Sequence, residues 1–256
     1  MKRIATAVVL VPLATWLILK APDWDLIAAF ALVGLIAFRE YDAITAGHGL
    51  EPAGISGMLA GLALLLAPAP GAVAVLIALA AMMIALGGKD LSRAMERAAV
   101  FTLGVIYIFG SSRIGIDLHG LSHHWLMFAM LVSWVGDTAA FYIGKPFGRH
   151  KLAPQVSPGK SWEGAVASLI AGSGSAVVYA HYFLPDVVLH EAIALAVAGN
   201  LAGQMGDLCE SALKRGAGMK DSGSTLPGHG GWLDRIDAAL FSIPVIYMLV
   251  KFWVMR

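Results

Sequence analysis

The chain has 256 residues, of which 58% are hydrophobic and 14% are charged, and its formal net charge at pH 7 is +1. A typical soluble domain has about a quarter of its residues charged. The lower charged fraction of this chain and its mean hydropathy of +0.74 exclude that class. No basic arm is present, so nucleic acid is not an expected partner. Cys209 is the only cysteine, which excludes a disulfide framework and a zinc site built from cysteines. The composition predicts an integral membrane protein.

The apolar residues fall into blocks, and a membrane-spanning helix needs about 20 such residues. The first block has no small-residue cleavage site after it, so we interpret it as an uncleaved span rather than a signal peptide. The predicted fold class is an all-α integral membrane protein with about nine transmembrane helices, or eight to ten because the third to fifth blocks are short or interrupted. The predicted spans are 4–20, 25–38, 53–67, 71–87, 98–116, 122–144, 162–184, 188–210 and 235–254.

With nine spans, the loops differ in charge between the two sides of the membrane. One side holds 14 of the 18 Lys and Arg residues, and the positive-inside rule places that side in the cytoplasm. The N-terminus and the long polar loops 145–161 and 211–234 would then be cytoplasmic. We expect one polytopic domain over residues 1–256, with N-terminal spans in 1–120 and a catalytic half in 121–256 whose polar loops form the active site.

The first group of candidate residues surrounds the loop 145–161. Asp137 lies within an apolar span, which makes a functional role the default hypothesis, although it could instead pair with Lys145 or Arg149 near the interface. The loop adds several cations, and Ser161 stands where the next helix is predicted to begin. Exposed N–H groups at a helix N-terminus, with Lys160 nearby, can bind an anion. The pattern favours an anion-binding site.

The second group lies between residues 204 and 237. Asp207, Glu210 and Ser211 have the i, i+3, i+4 spacing that places side chains on one face of a helix. Asp234 and Asp237 repeat the i, i+3 spacing at the start of the last predicted helix. If the two helices meet at the cytoplasmic surface, they bring aspartates together. Hard oxygen ligands of this kind suit Mg²⁺, which is commonly held by one or two carboxylates and by substrate phosphates.

A structural explanation is also open for this second group. Lys214 and Arg235 could pair with the carboxylates and serve only as a clasp for the loop. The glycines around His229 provide a backbone that can approach a phosphate closely. His229 itself could donate to a phosphate oxygen, carry a proton or be a turn residue.

The spacing of these residues resembles that of the phosphatidate cytidylyltransferases, also called CDP-diacylglycerol synthases. The resemblance covers roughly residues 134–240, in the correct order, while the first hundred residues match only as apolar spans. Gly159 departs from the pattern, because many relatives have a second Lys there. The matching motifs are Asp137-Thr138-x-Ala140, Gly144-Lys145-x-Phe147-Gly148, Ser157-Pro158-x-Lys160-x-x-Glu163-Gly164, Gly206-Asp207-x-x-Glu210-Ser211, Ser211-x-x-Lys214-Arg215-x4-Lys220-Asp221 and His229-Gly230-Gly231-x-x-Asp234-Arg235-x-Asp237.

The resemblance implies a reaction of CTP with phosphatidic acid that gives CDP-diacylglycerol and pyrophosphate, and it implies a requirement for Mg²⁺. The number of metal ions stays open, with a second cation as the alternative to a single Mg²⁺. The implied metal ligands are Asp207 and Asp234. The implied roles are catalysis for Asp207, Asp234, Asp237 and Lys214, phosphate binding for Lys145, Lys160, Ser161, Arg215, Lys220, His229 and Arg235, and support for Asp137, Glu163, Glu210, Ser211 and Asp221.

The same resemblance implies CTP, phosphatidic acid and membrane lipids as partners, a homodimer, and a bacterial inner membrane with the site facing the cytoplasm. Two alternatives remain. A CTP-dependent enzyme could act on another lipid, as an ether-lipid cytidylyltransferase or a polyprenol kinase does. An ion-coupled transporter also uses intramembrane carboxylates, but here the charges gather at one face of the membrane.

Overall fold

The structure is a computed structural model that describes residues 2–88, 90–226 and 230–255, with residues 2–7 described by their backbone. Within these ranges the chain folds mainly into α-helices. They are α1 (Lys2–Leu19), α2 (Asp23–Gly47), α3 (Gly54–Leu66), α4 (Pro70–Leu86), α5 (Ala94–Gly104), α6 (Ser111–Leu121), α7 (His123–Phe147), α8 (Trp162–Phe183), α9 (Leu189–Gly216) and α10 (Leu233–Leu249). A 3₁₀ turn at Leu91–Arg93 precedes α5, and π-helical turns occupy Val105–Gly110 and Val250–Val254.

Local sequence signals explain several helix starts. Pro70 is the first residue of α4, a position where its missing N–H is of no consequence. Ser122 precedes α7 and accepts a hydrogen bond from the His124 N–H at 3.3 Å. Ser161 precedes α8 and accepts one from the Gly164 N–H at 3.2 Å. Both serines thus cap a helix whose first N–H groups have no partner within the helix.

Each predicted span coincides with helical structure in the described part of the chain. Five stretches are long and apolar enough to cross a membrane, and three shorter apolar helices precede them. The chain is therefore an integral membrane protein, while the count of nine crossings stays a prediction. The fifth predicted span, 98–116, falls within a helical stretch interrupted by a π turn. The five stretches are Leu91–Leu121, His123–Phe147, Trp162–Phe183, Leu189–Gly216 and Leu233–Val254.

The all-α prediction missed a short β-hairpin in the loop between α7 and α8. Strand β1 (Lys151–Ala153) pairs antiparallel with β2 (Ser157–Ser161), and Lys151 lies opposite Ser161. Strand β1 has only 3 residues, too few to show the apolar alternation that identifies a strand in sequence. Strand β2 contains Pro158 and Gly159, which usually indicate a loop. The hairpin ends where Ser161 caps α8, so it presents Lys160 immediately before a helix N-terminus.

The described chain divides into two compact units. The first consists of the chain up to Val9, Pro22–Arg113 and Leu213–Arg235. In its interior, Gly57 and Gly61 of α3 pack against the rings of Phe38 and Phe109. Both rings are fully buried, and a side chain at either glycine would collide with them. The two glycines therefore allow α3 to pack closely against its neighbours.

The second unit consists of Leu10–Ala21, Ile114–Ala212 and Ile236–Arg256. Small residues again allow close approach: Gly172 of α8 lies against the Val132 carbonyl of α7, and Gly203 of α9 lies against Ala238 of α10. Buried Phe128, Leu195 and Ile246 fill the interior. The single-domain prediction, with its division at residue 120, stays a prediction.

Candidate active site

Asp207 is the centre of a cluster in the second unit that we call the Asp207 cluster, formed by Asp207, Lys160, Ser211, Glu210 and Asp237. The Lys160 ammonium lies 2.6 Å from Asp207 Oδ2. Ser211 donates its hydroxyl to Asp207 Oδ1 at 3.3 Å, which confirms that these residues share one face of α9. The β-hairpin and α9 therefore bring together a cation and a carboxylate that lie in separate sequence motifs.

The carboxylates of the Asp207 cluster are concentrated in a small space. Glu210 is fully buried and Asp237 is almost so. Asp207, Glu210 and Asp137 are all close enough to Asp237 to act on it electrostatically. Gly206 makes this approach possible, because a side chain there would meet the Asp237 carbonyl oxygen. Carboxylates this close together repel one another and are stabilised by nearby cations, of which Lys160 is one.

A small polar cleft lies among α7, α8, α9 and α10 in the second unit. Asn200 donates to the Ser168 hydroxyl at 3.2 Å, and Gln204 donates to Asn200 Oδ1 at 2.7 Å. Asp137 lines the same cleft, together with Ser133. These amide and hydroxyl side chains were not identified from the sequence, where they appear as isolated polar residues in apolar helices. The cleft gives Asp137 polar neighbours, although its side chain is exposed.

Asp234 is the centre of a second cluster, in the first unit, formed by Asp234, Lys214, Ser222, Gly231 and Glu40 and called the Asp234 cluster here. The Lys214 ammonium contacts Asp234 Oδ1. The Ser222 N–H donates to Asp234 Oδ2 at 3.0 Å, and the Gly231 N–H donates to the same oxygen at 2.8 Å. The clasp considered from the sequence is therefore present for Lys214, and the catalytic role implied for this residue stays a prediction.

Glu40 is a member of this cluster that the sequence analysis missed. It follows the apolar run of α2, next to Arg39 and Asp42, where a charge usually indicates only the end of a span. In the structure its side chain is buried and accepts hydrogen bonds from the segment before α10, including one from the Leu233 N–H at 2.8 Å. A charged residue directly after an apolar run was the available signal.

Three predicted residues have partners near the hairpin. The Lys145 ammonium lies 5.5 Å from the centre of the Phe141 ring, in the arrangement of a cation–π contact. Glu163 Oε1 lies 2.7 Å from His150 Nδ1. Ser161 is buried and caps α8, so its hydroxyl is engaged with backbone. Phosphate binding by Lys145 and Ser161, and support by Glu163, stay predictions.

The remaining predicted residues lie in or beside the loop between α9 and α10. Arg215 donates to the Met219 carbonyl at 3.1 Å. Lys220, Asp221 and Arg235 are exposed to solvent, so they are accessible to a soluble nucleotide. His229 lies outside the described residues, and its predicted role is not addressed by the structure.

Asp207 and Asp234, the predicted metal ligands, offer oxygen donors of the type that Mg²⁺ binds. Among the described residues, no three His, Cys, Asp or Glu side chains converge as a group able to hold a metal ion. Mg²⁺ usually keeps several waters and binds through one or two carboxylates together with substrate phosphates. Each of the two carboxylates fits that mode of binding by itself, in which the substrate completes the coordination.

Comparison with known proteins identifies the relatives of this chain. The model of the cytidylyltransferase family matches residues 1–253. A Staphylococcus saprophyticus protein named phosphatidate cytidylyltransferase is 35% identical over 161 residues, which are 63% of this chain and 59% of that protein. A protein of the same name from Haemophilus influenzae is 42% identical over 130 residues, or 49% of this chain and 44% of the relative. One from Bacillus subtilis is 35% identical over 161 residues, or 60% and 59%.

The matches span less than two thirds of the length of each of these three relatives. The family model, by contrast, extends over nearly all of the present chain, including the helices that carry Asp207 and Asp234. With this match, the chain belongs to the cytidylyltransferase family.

Proposed function

We propose that this chain is a phosphatidate cytidylyltransferase, which joins CTP and phosphatidic acid into CDP-diacylglycerol and releases pyrophosphate. The observation that carries the proposal is the pairing of Lys160 with Asp207 and of Lys214 with Asp234. Lys160 is a predicted phosphate-binding cation and Lys214 a predicted catalytic residue, and each contacts a predicted metal ligand on elements that hold the family motifs. The names of the relatives support the same activity.

The proposed reaction is a single displacement at phosphorus. An oxygen of the lipid phosphate attacks the α-phosphorus of CTP, a new P–O bond forms, and the bond from the α-phosphorus to the oxygen that bridges to the β-phosphorus breaks. Pyrophosphate leaves with that oxygen. Because the attacking oxygen is already anionic, no strong base is needed. The main obstacle is the repulsion between two polyanions and the charge that grows on pyrophosphate, so fixed cations accelerate the reaction.

The proposed roles follow from this obstacle. Lys160 and Lys214 exchange their aspartate partners for phosphate oxygens when the substrates bind. Asp207 and Asp234 are then available as ligands for Mg²⁺, which supplies positive charge to the phosphates when it is bound. Asp237 supports the metal ligands through its position beside Asp207. The polar surroundings of Asp137 favour a role in orienting one of the lysines.

We further propose nine crossings, with the loops 145–161 and 211–234 in the cytoplasm of a bacterial cell and the chain in its inner membrane. The unequal distribution of Lys and Arg supports this orientation, and the bacterial relatives support the membrane. CTP is made in the cytoplasm, so a cytoplasmic site has direct access to it. A homodimer is proposed on the resemblance alone.

The proposal is tested with protein purified in detergent, CTP labelled in the cytosine, phosphatidic acid and Mg²⁺. Wild-type protein is expected to give a labelled lipid, whereas Asp207→Asn and Asp234→Asn are expected to reduce the rate by at least about a hundredfold. Asp186→Asn, a change at an exposed residue in the turn between α8 and α9, is the control. Product with an ether lipid but none with phosphatidic acid would assign a different acceptor. No labelled product with any lipid would refute the proposal.

A further inference from the structure

Glu40 of α2 holds the segment before α10, and the first residue of α10, by four hydrogen bonds. Oε1 accepts from the Thr225 hydroxyl at 2.8 Å and from the Trp232 N–H at 3.0 Å. Oε2 accepts from the Ser222 hydroxyl at 2.8 Å and from the Leu233 N–H at 2.8 Å. Two donors on each oxygen match the four lone-pair positions of a carboxylate. The carboxylate is therefore saturated, and every donor in this set comes from one short segment of chain.

The position of this carboxylate at a helix start has a physical reason. Leu233 is the first residue of α10, and its N–H, like that of Trp232 before it, has no acceptor within the helix. The N-terminus of a helix also favours a negative charge. Glu40 provides the acceptor from a different helix, so the start of α10 is attached to α2.

Ser222 connects Glu40 to the predicted metal ligand Asp234. Its hydroxyl donates to Glu40, while its N–H donates to both carboxylate oxygens of Asp234, at 3.2 and 3.0 Å. Gly231 contributes a further N–H to Asp234 at 2.8 Å, next to the Trp232 N–H that Glu40 binds. The donors that orient Asp234 are thus held by residues that Glu40 contacts directly.

The glycines of this segment leave the room that Glu40 needs. A side chain at Gly223 would lie 2.7 Å from Glu40 Oε1, and one at Gly231 would collide with Glu40 Oε2. The backbone of the segment therefore closes around the carboxylate on two sides. This contact gives a packing reason for the glycine at position 231, in addition to any close approach of the backbone to a phosphate.

We infer that Glu40 is a positioning residue, which sets the orientation of the Asp234 carboxylate through Ser222 and the start of α10. The inference rests on the proposed cytidylyl transfer only where it predicts the effect of Glu40 on the reaction rate. Its effect on the segment can be measured without substrate. Residues that orient a metal ligand from outside its coordination typically change activity or metal affinity by about 10- to 100-fold when they are replaced.

The test compares Glu40→Gln with Asp42→Asn in detergent. Glu40→Gln keeps the size of the side chain but turns an NH₂ group toward two donors. Asp42, on the same helix, accepts from the N–H groups of Ala53 and Gly54 at 3.1 and 3.0 Å. Asp42→Asn is therefore the matched control, because it removes a carboxylate that caps backbone N–H groups outside the segment. The first readout is hydrogen–deuterium exchange over 219–235 without substrate. The second is kcat, KM for both substrates, and the Mg²⁺ concentration that gives half of the maximal rate.

Glu40→Gln is expected to speed exchange over 219–235 by about tenfold, to lower kcat by about 10- to 100-fold and to raise the Mg²⁺ requirement, with KM for phosphatidic acid unchanged. Asp42→Asn is expected to change exchange only around Ala53. Unchanged exchange over 219–235 in Glu40→Gln, or an equal increase there in both variants, overturns the inference. If wild-type protein transfers no cytidylyl group, the proposed function fails while the exchange result still decides the role of Glu40.

A milder variant covers the case in which Glu40→Gln does not fold. Thr225→Val removes one donor to Glu40 and keeps the shape of the side chain. It is expected to increase exchange over 219–235 and to lower kcat by up to about tenfold, the effect of one hydrogen bond to a charged group. If the exchange and the kcat of Thr225→Val equal those of the wild-type protein, the inference is overturned.

Discussion

The ammonium of Lys160 lies 2.6 Å from the carboxylate of Asp207, although the two residues belong to separate motifs. Lys160 lies in β2, one residue before the Ser161 that caps α8, and Asp207 lies near the cytoplasmic end proposed for α9. Their contact neutralises a carboxylate that has Glu210 and Asp237 for neighbours. It also keeps the lysine where an arriving phosphate can take the place of the aspartate.

Replacement of Lys160 by alanine is expected to lower kcat/KM for CTP by about a hundredfold, because a fixed cation is lost where phosphate charge has to be stabilised. Steady-state assays over a range of CTP concentrations measure this. Lys151→Ala is the control, since Lys151 is an exposed cation on the partner strand of the same hairpin. Equal losses in the two variants would indicate a general effect of hairpin charge and contradict a specific role for Lys160.

Removal of Mg²⁺ with a chelator is expected to stop turnover without unfolding the protein. Lys160 and Lys214 contact the carboxylates of Asp207 and Asp234, so these charges have compensating cations within the protein. We expect Tm to change by less than about 2 °C, and activity to return when Mg²⁺ is added back. A large loss of thermal stability on chelation would show that the metal is structural.

Two glycines of α8 are expected to differ in their tolerance of alanine. A Cβ at Gly172 would lie 2.6 Å from the Val132 carbonyl oxygen, whereas one at Gly174 would meet no atom within 4 Å. Gly172→Ala should therefore lower the free energy of unfolding by about 1–3 kcal/mol through overpacking. Gly174→Ala should change it by less than about 1 kcal/mol. Unfolding in mixed micelles measures both, and equal values would mean that α7 and α8 do not pack this closely.

Ser161→Ala is expected to destabilise the protein by about 1 kcal/mol, because the hydroxyl caps α8. The same unfolding assay provides the measurement, with Ser175→Ala as the control, since the Ser175 hydroxyl bonds to the Gly172 carbonyl within the helix. A phosphate-binding role in addition would raise KM for CTP in Ser161→Ala alone. Unaltered stability in that variant would contradict the capping geometry.

The sequence allowed the membrane helices and part of the site to be predicted, since both depend on local patterns. Apolar blocks predict helices by length, and the i, i+4 spacing of Asp207 and Ser211 correctly predicted that they share a helix face. The hairpin was missed because β1 is too short to show alternation and β2 contains the turn residues Pro158 and Gly159. The sequence therefore predicted the helices more reliably than it predicted the structure of the loops.

The role of Glu40 could not be predicted, because its hydrogen bonds join residues far apart in the chain. Ser222 lies 182 positions after Glu40, and nothing local to either residue specifies the contact. The same applies to the contact between Lys160 and Asp207, for which the sequence indicated the members but not the pair. Contacts of this kind depend on how helices pack, and a single sequence carries little information about packing.

The most direct test of the central claim follows the phosphorus atoms of CTP. Two reactions with phosphatidic acid and Mg²⁺ are run in parallel, one with CTP labelled at the α-phosphate and the other with CTP labelled at the γ-phosphate. Cytidylyl transfer predicts that the α-label enters the lipid and the γ-label appears in pyrophosphate. Entry of the γ-label into the lipid, with release of CDP, would show that the protein is a CTP-dependent kinase and would contradict the account.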